Sequence, residues 1–390
     1  MSTRKFTVTQ PTQIRFGCGV IDDVADAVNS LGGSKVAVFI DPGLVAAGIA
    51  DMVTAPLAKA KIPFLVDDNV APEPGLKLAD AGAKKAKKFG ADCVIGVGGG
   101  SAMDIAKAVS ILLTNGGKAE DYLGLGKIAK PGVPKIMVPT TAGTGAEVTF
   151  TAVFINEKTK SKAGMNGDPL YPEVAVLDPN LTVSMPPHVT AMTGIDAFTH
   201  AIEAYVSNQA HAVSDLYALQ ALELISVNLG KAYAHGGNLE ARSNMLLGSL
   251  LAGKALATAG VGLVHAMAYP LGGLYGVPHG LANAVLLPYV LHYNIIGAPE
   301  KYAVVADLMG CDTDGLSDRD AAQQVVDAVF NLNMDVGIPA SLADLGVEEK
   351  MIPKMAEIAL TVTRPVENNP RRPTRDEVIE VYKAAMEGLE

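Results

Sequence analysis

The chain has 390 residues, of which 49% are hydrophobic and 18% charged, and its formal net charge is -10 at pH 7. This length exceeds one ordinary hydrophobic core and predicts two domains, while the composition is that of a globular rather than a disordered protein. The negative charge disfavours nucleic acid and anionic membranes as partners. The sequence also lacks an apolar run of membrane-spanning length.

The cysteines and the N-terminal segment indicate the cellular compartment of the protein. Cys18, Cys93 and Cys311 are odd in number and far apart in sequence, so we expect reduced thiols rather than a disulfide framework or a cysteine zinc motif. The first 17 residues contain no apolar signal core. Both features predict a cytoplasmic protein.

Short apolar, β-branched runs alternate with helical stretches through the first half of the chain. The runs are KVAVFID, IPFLVD, DCVIGVGGG, KIMVP, VTFTAVFIN and EVAVLDP. A strand–helix alternation of this kind predicts a Rossmann-like parallel sheet with helices on both faces. We assign it to an α/β dinucleotide-binding domain of residues 1–184.

A glycine triplet follows the third of these strands and precedes a helix. Ser101 is expected to cap that helix, with Asp104 placed as in a capping box. Glycines permit close backbone approach, and the helix start offers N–H groups to a pyrophosphate. The alternative is a strand–helix turn that binds nothing, because the motif lacks the full GxGxxG fingerprint. The candidate residues are Gly98, Gly99, Gly100 and Ser101.

Two further polar segments follow strands in this half. Asp41 ends the first strand and is placed to accept hydrogen bonds from an adenosine ribose, which favours NAD over NADP, although a plain turn residue is the simpler alternative. Thr140, Thr141 and Thr144 place hydroxyls among glycines in a loop suited to phosphate, ribose or amide contacts.

From Met185 onward the apolar spacing follows the helical period, which predicts an all-helical domain of residues 185–390. Loops such as AHGGN, GAPE and MGCDTDGLS separate the helices. The predicted helices cover residues 189–206, 212–233, 239–258, 281–293, 321–332 and 375–386.

Four residues in this second half have the chemistry of a divalent transition-metal site. Asp196 and His200 lie four apart on a predicted helix and therefore share a face. His265 and His279 flank a segment rich in glycine and proline, which we expect to fold back as a turn. The alternative is a helix surface and core histidines without metal. The remaining histidines have no comparable neighbours and are assigned structural or surface roles: His188, His211, His235 and His292.

Four motifs in order carry a resemblance to a known family over nearly the whole chain. They are VGGGSAMDIAK, PTTAGTGAEVT, TGIDAFTHAIEAYVS and GLVHAMAYPLGGLYGVPHGLANAVLLPY. In these segments the chain resembles the iron-containing (group III) alcohol dehydrogenases. The resemblance implies a dehydroquinate synthase-like architecture, with the active site in a cleft between an NAD-binding α/β domain and a helical metal domain.

The resemblance also implies residue roles. The iron ligands would be Asp196, His200, His265 and His279, with zinc as the other possible ion. The cofactor positions would be Asp41, Gly98, Gly99, Gly100, Ser101, Asp104, Thr140, Thr141, Thr144 and Lys162. Two departures affect catalysis and substrate choice: Tyr269 stands where the family commonly has a proton-transferring histidine, and Ala146 stands where serine is frequent.

The expected function is metal-dependent hydride transfer between NAD(H) and a small primary alcohol, diol or aldehyde. Tyr269 is the candidate catalytic residue, and the neutral pocket would draw on Thr149, Thr151, Phe154 and Tyr275, unless Arg364 or the arginines of NNPRRPT receive an acidic group. The alternatives are a non-redox lyase that pairs NAD with a metal, and a non-catalytic metal or nucleotide sensor. The family implies a homodimer or larger homo-oligomer.

Overall fold

The computed structural model describes residues 5–156 and 161–388, which form two compact units. One unit is Gln10–Met185, and the other joins the N-terminal residues up to Thr9 to the segment from Pro186 onward. The sequence placed the whole N-terminus in the α/β domain. Instead, Phe6 stacks on His211 of the helical unit, with ring centroids 4.0 Å apart.

The α/β unit contains nine strands and five helices in its described part. The strands are β1 Gln13–Phe16, β2 Val36–Ile40, β3 Phe64–Asp67, β4 Cys93–Gly98, β5 Gly124–Leu125, β6 Lys135–Pro139, β7 Thr151–Asn156, β8 Ser161–Asn166 and β9 Val174–Leu177. The helices are α1 Val24–Ser30, α2 Pro42–Ala46, α3 Ile49–Lys59, α4 Leu76–Phe89 and α5 Gly100–Asn115.

Six strands form one sheet in the order β1-β9-β6-β4-β2-β3, and every pair within it is parallel. Alternate residues of β2, β4 and β6 enter two separate hydrophobic cores. Ala37 and Phe39 of β2 belong to the core with α4 and α5, while Val36, Val38 and Ile40 belong to the core with α1 and α3. Both faces of the sheet are therefore covered, as parallel sheets require, and the predicted fold class is confirmed.

The run VTFTAVFIN forms a strand but does not extend the parallel sheet. It contains β7, which pairs antiparallel with β8, and β5 completes a separate three-stranded sheet. Val153 and Ile155 are half-buried, whereas Ala152 and Phe154 are buried in the core beside α5. Such alternation is typical of a sheet with one covered face.

The second unit is helical from Pro187 onward in its described part. Its helices are α6 Pro187–Val206, α7 Ala212–Ala234, α8 Leu239–Ala259, α9 Leu263–Tyr275, α10 His279–Asn294, α11 Pro299–Leu308, α12 Asp318–Asp335, α13 Ile352–Leu360, α14 Thr363–Asn368 and α15 Arg375–Glu387. Each of the six predicted helices is present, and α9, α11, α13 and α14 are additional.

The segment between His265 and His279 was predicted as a turn, and that prediction is wrong for most of its length. It forms α9, which contains Pro270 and ends at Tyr275, so that only the residues around Gly276 turn. Packing against α10 and α13 buries most of the first nine residues of α9 and overrides its low helix propensity. Within the described residues, each helix alone is too short or too polar to cross a membrane. Helices α8 and α9 together have the length and apolar composition of a membrane span, but they are bent by 103° at the break between them.

Candidate metal centre and dinucleotide site

Three helices of the helical unit each direct a pair of residues, spaced four apart, to one place. Asp196 and His200 lie on α6, His265 and Tyr269 on α9, and His279 and Asn283 on α10. Residues spaced four apart project from the same helix face. The face of α6 continues to Glu203, seven residues after Asp196. The polar groups of this site therefore lie along one face of each of three otherwise apolar helices.

The four predicted ligands meet around one carboxylate oxygen. Oδ1 of Asp196 lies 4.0 Å from the Nε2 atoms of His200, His265 and His279. The ligand atoms of Asp196, His265 and His279 all lie within 4.8 Å of one another. Tetrahedral coordination with bonds of ~2.1 Å places ligands ~3.4 Å apart, so only a small contraction is needed to hold an ion.

The charge and burial of this cluster suit a divalent cation. Asp196, His200 and His265 are buried, while the His279 side chain is 28% exposed. Burial alone would raise the pKa of the Asp196 carboxyl, but the imidazoles, His200 foremost, and the Asn283 amide lower that pKa below its usual value. An anionic oxygen among imidazole nitrogens is a donor set for iron or zinc.

Glu203 fixes the orientation of the ligand on α9. Its carboxylate accepts hydrogen bonds from the backbone N–H groups of Gly262 and Val264, at 2.8 and 2.6 Å, and lies 2.6 Å from His265 Nδ1. With Nδ1–H donating to this carboxylate, the lone pair of His265 is on Nε2, the atom nearest Asp196. Glu203 was not among the predicted site residues, although a glutamate seven residues after Asp196 on the same apolar helix was a usable signal.

Asn283 places its amide group among the ligands. Its Nδ2 donates to Asp196 Oδ1 at 2.7 Å and lies 3.2 Å from His265 Nε2 and 3.3 Å from His279 Nε2. Its Oδ1 is buried without a hydrogen-bond partner. The sequence analysis did not identify this residue, but its position four after His279 on a helix was the available signal.

The two tyrosines assigned to the active site have different surroundings. The Tyr269 ring stacks near the His279 ring, with centroids 6.2 Å apart, so it lies beside the ligands. The Tyr275 hydroxyl accepts a hydrogen bond from the backbone N–H of Glu348 at 3.3 Å. Its hydroxyl is thus held by the start of a short helical turn, which gives no support to a role in the pocket.

In the α/β unit, three candidate cofactor segments lie at one edge of the parallel sheet. Gly98 pairs with Pro139 across β4 and β6, and Ile40 pairs with Val97 across β2 and β4. The carboxyl ends of these three strands therefore adjoin, as in doubly wound sheets that bind nucleotides. The segments that follow them begin at Asp41, at the glycine triplet and at Thr140.

The glycine and threonine loops touch one another. Thr140 N–H donates to the Gly98 carbonyl at 3.0 Å, and Gly98 has φ +144°, where other residues are strained. A Cβ on Gly99 would lie 3.4 Å from Thr141 Oγ1, which is buried without a hydrogen-bond partner. Since buried hydroxyls are normally bonded, this group fits a site for a polar ligand.

The helix start at this edge differs from the predicted capping box. Helix α5 begins at Gly100 with Gly99 as its N-cap and has no side-chain cap, so Ser101 lies within the first turn. Its N–H groups are left for an anion such as pyrophosphate. Asp104 is instead buried in the unit, where its Oδ2 accepts from the Val153 backbone N–H at 2.9 Å, because the helix turns its side chain toward β7.

Three other predicted cofactor residues already have protein partners. Asp41 caps α2, with Oδ1 accepting from Gly43 N–H at 2.7 Å. Thr144 Oγ1 accepts from Ala146 N–H at 3.3 Å, and Lys162 Nζ lies 2.8 Å from a Glu73 carboxylate oxygen. The turn-residue alternative for Asp41 is therefore realised, which leaves its second carboxylate oxygen for a ribose.

A buried cluster of charged residues, Lys107, Asp104 and Glu147, lies beside Thr149 and Thr151, two residues that were predicted to line the substrate pocket. Lys107 is 0% exposed and donates to the carbonyls of Thr149 and Thr151 and to the Thr149 hydroxyl, at 2.9–3.2 Å. Phe154 is 1% exposed in the core, so its assignment to a pocket wall is wrong: alternation along β7 turns it toward α5. Thr151 Oγ1 donates to Asn166 at 2.8 Å.

Burial shifts the acid–base behaviour of this cluster. It raises the pKa of Glu147 to about 7 and that of Asp104 to about 6, and it lowers the pKa of Lys107 to about 8. Oε1 of Glu147 is buried without a hydrogen-bond partner. The sequence analysis missed this group because lysine and glutamate in amphipathic segments normally face solvent.

Comparison with known proteins covers both units. A family model described as iron-containing alcohol dehydrogenase matches residues 11–179, and a model for the C-terminal part of the Fe-containing alcohol dehydrogenase family matches residues 190–386. The chain is 43% identical over 387 residues to 1,3-propanediol dehydrogenase of Citrobacter freundii, covering 99% of this chain and 100% of that protein.

Two solved structures have the same fold over nearly their full length. A crystal structure of 1,3-propanediol oxidoreductase is 42% identical with a TM-score of 0.96, covering 98% of this chain and 100% of the other. Sulfoacetaldehyde reductase from Bifidobacterium kashiwanohense, crystallised with NAD+, is 31% identical with a TM-score of 0.88, covering 98% and 99%. These similarities extend over both the parallel sheet, with its candidate cofactor edge, and the helices that carry the histidine cluster.

Proposed function

Because this chain belongs to the iron-containing alcohol dehydrogenase family, we propose that its helical unit holds the reactive metal on Asp196, His200, His265 and His279. The family uses NAD(H) and iron, and the chain is an NAD-linked oxidoreductase of alcohols and aldehydes. We assign NAD(H) binding to the α/β unit. The observation that carries the proposal is the approach of three imidazoles to one carboxylate oxygen, each at 4.0 Å.

The metal ligands and their neighbours have separate tasks. When bound, a divalent metal supplies a Lewis acid that polarises the substrate oxygen and stabilises negative charge there. Asp196 contributes the anionic donor, and Glu203 keeps His265 in the tautomer with Nε2 as acceptor. Tyr269 is the candidate group through which the substrate hydroxyl proton leaves or enters, because its ring lies beside His279.

The sheet edge orients the dinucleotide. The uncapped N–H groups at the start of α5 receive the pyrophosphate, and the Thr141 hydroxyl supplies a further hydrogen bond. Asp41 receives the adenosine ribose and repels a 2′-phosphate. When bound at this edge, the nicotinamide would supply hydride chemistry, accepting hydride from an alcohol and returning it to an aldehyde, and Tyr269 would be the candidate group for the accompanying proton.

We propose a small uncharged primary alcohol, diol or aldehyde as the substrate. The Citrobacter freundii relative is a 1,3-propanediol dehydrogenase, so its name refers to a small diol, which supports this class. An acidic substrate group on the NNPRRPT segment is less favoured, because Arg371 already binds Glu377 at 2.6 Å and the Tyr293 carbonyl at 3.0 Å. We also propose that the enzyme acts in the cytoplasm as a homodimer or larger homo-oligomer, which light scattering during size exclusion would measure.

The test of the proposal is NADH oxidation with propanal and 3-hydroxypropanal by protein stripped with a chelator and then given Fe²⁺ or Zn²⁺. We expect activity to disappear on stripping and to return with metal. His279→Ala should stay inactive after metal is returned, whereas the matched control His292→Ala, exposed on the same helix, should recover. Activity that survives stripping would exclude a metal-dependent reaction. Metal binding without turnover of any aldehyde would favour the sensor alternative.

A further inference from the structure

Asn283 has contacts that coordination of a metal would disrupt. Its Nδ2 carries two hydrogens and lies within hydrogen-bond distance of three atoms, namely Asp196 Oδ1 at 2.7 Å, His265 Nε2 at 3.2 Å and His279 Nε2 at 3.3 Å. All three atoms are proposed metal donors. The carboxamide is 0% exposed, and it reaches them from inside the cluster rather than from solvent.

The orientation of the amide follows from its surroundings. The contact of 2.7 Å to a carboxylate requires a donor, so the nitrogen rather than the oxygen faces Asp196. His265 donates its Nδ1–H to Glu203, which leaves its Nε2 as an acceptor for the same amide. The price of this arrangement is that Asn283 Oδ1 stays buried without a partner.

A hydrogen bond to the amide and a bond to a metal use the same electrons. A neutral imidazole has one acceptor nitrogen with one lone pair. When Asn283 donates to Nε2 of His265 or His279, that lone pair is not available to a cation. The amide hydrogens also present positive charge where the cation would enter. At His265 and His279 the hydrogen-bonded arrangement and coordination therefore exclude each other, whereas Asp196 Oδ1 has further lone pairs and can do both.

We propose that Asn283 substitutes for the cation in the metal-free enzyme, holding three ligands together, and that its carboxamide must turn or withdraw before metal is bound. This inference rests on the proposed metal site and adds a competing group to it. Asn283 stabilises the metal-free protein more than the loaded protein, and by linkage it weakens metal affinity to the same extent.

The test compares Asn283→Ala with a matched buried asparagine, using the full chain stripped by a chelator and titrated with Zn²⁺ against a chromophoric competitor. Asn333 is the control: it is buried, its Nδ2 donates to the Ala284 carbonyl at 2.7 Å, and its Oδ1 also lacks a partner. Unlike that of Asn283, the Asn333 amide nitrogen donates to a backbone carbonyl rather than to a proposed ligand.

For Asn283→Ala we expect Zn²⁺ affinity to rise about threefold to tenfold, the effect of one lost competing hydrogen bond. Its stripped form should melt lower than the wild type, while the loaded forms melt alike. Asn333→Ala should melt lower in both forms with unchanged Zn²⁺ affinity. Asn283→Ser, which retains one donor, should give a smaller rise in affinity and serves if the alanine variant does not fold.

Weaker Zn²⁺ binding by Asn283→Ala or Asn283→Ser, or affinity unchanged as in Asn333→Ala, would overturn the inference while leaving the ligand assignment intact. A wild-type protein that binds no Zn²⁺ would overturn both. In the wild type, the side-chain amide resonance of Asn283, identified by its absence from the variants, should shift when Zn²⁺ is added. An unmoved resonance would also contradict the proposal.

Discussion

At the scale of single residues, Glu203 connects the ligands of two helices. It extends from α6, which carries Asp196 and His200, and accepts from the first N–H groups of α9, which carries His265. A carboxylate at a helix N-terminus is also favoured by the helix dipole. One side chain thus satisfies a helix start, sets a histidine tautomer and fixes the distance between two ligand-bearing helices.

Replacing Glu203 by glutamine should weaken metal binding about 10-fold to 100-fold, the usual effect of losing a carboxylate partner of a ligand histidine. The new NH₂ group must replace either Oε2, where it faces the Gly262 N–H and His265 Nδ1, or Oε1, where it faces the Val264 N–H, so each choice sets it against at least one donor. Competition with a chelator measures the affinity. Glu223→Gln, an exposed change on α7, should bind metal as the wild type does. Equal affinities for both variants would refute the role of Glu203.

The residues proposed as ligands were identified from sequence, whereas the residues that support them were not. Asp196, His200, His265 and His279 were identifiable because an acid and three histidines in apolar segments have few other purposes. The helical spacing of Glu203 and Asn283 was a usable signal, but only the assembled helices show what they touch. The prediction of a cap by Ser101 failed because Gly99 already occupies the N-cap position.

At the scale of elements, the approach of α6 and α10 is set by a glycine. A Cβ on Gly280 would lie 2.5 Å from the Met192 carbonyl oxygen and 3.4 Å from the Asp196 Cβ. Gly280 directly follows His279, so the closeness of the two backbones determines how near that ligand comes to Asp196. The contact is with backbone, which cannot move aside as a side chain can.

Gly280→Ala should therefore separate the two helices, lowering stability by about 1–3 kcal/mol as other overpacking changes do, and it should weaken metal binding as well. Gly230→Ala on α7 is the matched control, since nothing lies within 4 Å of its added Cβ. That variant should be neutral or up to about 1 kcal/mol more stable, because alanine favours helix. Denaturant melts and chelator competition measure both quantities. A Gly280 variant as stable as its control would contradict this account.

Helices and strands differed in how well their sequences predicted them. The six long helices were predictable because their apolar period is clear over many residues. Five of the six parallel strands were predictable as short apolar, β-branched runs, whereas the polar strand β1 was not predicted. Helix α9 was not predicted, because Pro270 and the glycines Gly272, Gly273 and Gly276 are residue types that usually mark turns or helix ends. The strand β7 was predicted as a strand. Its place in a second sheet could not be predicted, because the sequence of one strand does not show which strand it pairs with.

At the scale of the whole molecule, each unit should respond to its own ligand. Zn²⁺ should slow amide hydrogen exchange in peptides from α6, α9 and α10, whereas NAD+ should slow it in residues 98–104 and 140–144, since a ligand stabilises the elements that bind it. Mass spectrometry of peptides measures both effects, with Mg²⁺ as the control ion. Protection by Zn²⁺ confined to the α/β unit would contradict the ligand assignment.

The stability of the molecule should also depend on pH through Glu147. Burial raises the pKa of this carboxyl from 4.5 to about 7, so the folded state favours the protonated form. Its contribution to stability is complete below the pKa of the unfolded chain and is lost as pH rises through about 7. Glu147→Gln should therefore match the wild type near pH 5 and exceed it near pH 8 by up to roughly 3 kcal/mol.

Thermal melts of Glu147→Gln and the wild type across this range test the expectation, because the difference between them removes the other titrating groups. A difference that stays constant with pH would show that Glu147 does not titrate in this window. The same series with Glu223→Gln, whose carboxylate is exposed, should show no pH-dependent difference from the wild type.

The partial exposure of His279 makes it the most accessible of the four proposed ligands. Among the four ligands, three are sealed inside the protein, while His279 begins α10 with more than a quarter of its side chain in contact with water. Helix ends fray more readily than helix centres. We therefore expect scavenging agents and oxygen to reach iron at the proposed site from the side of that first turn, so that retention of the metal depends on how firmly one helix begins.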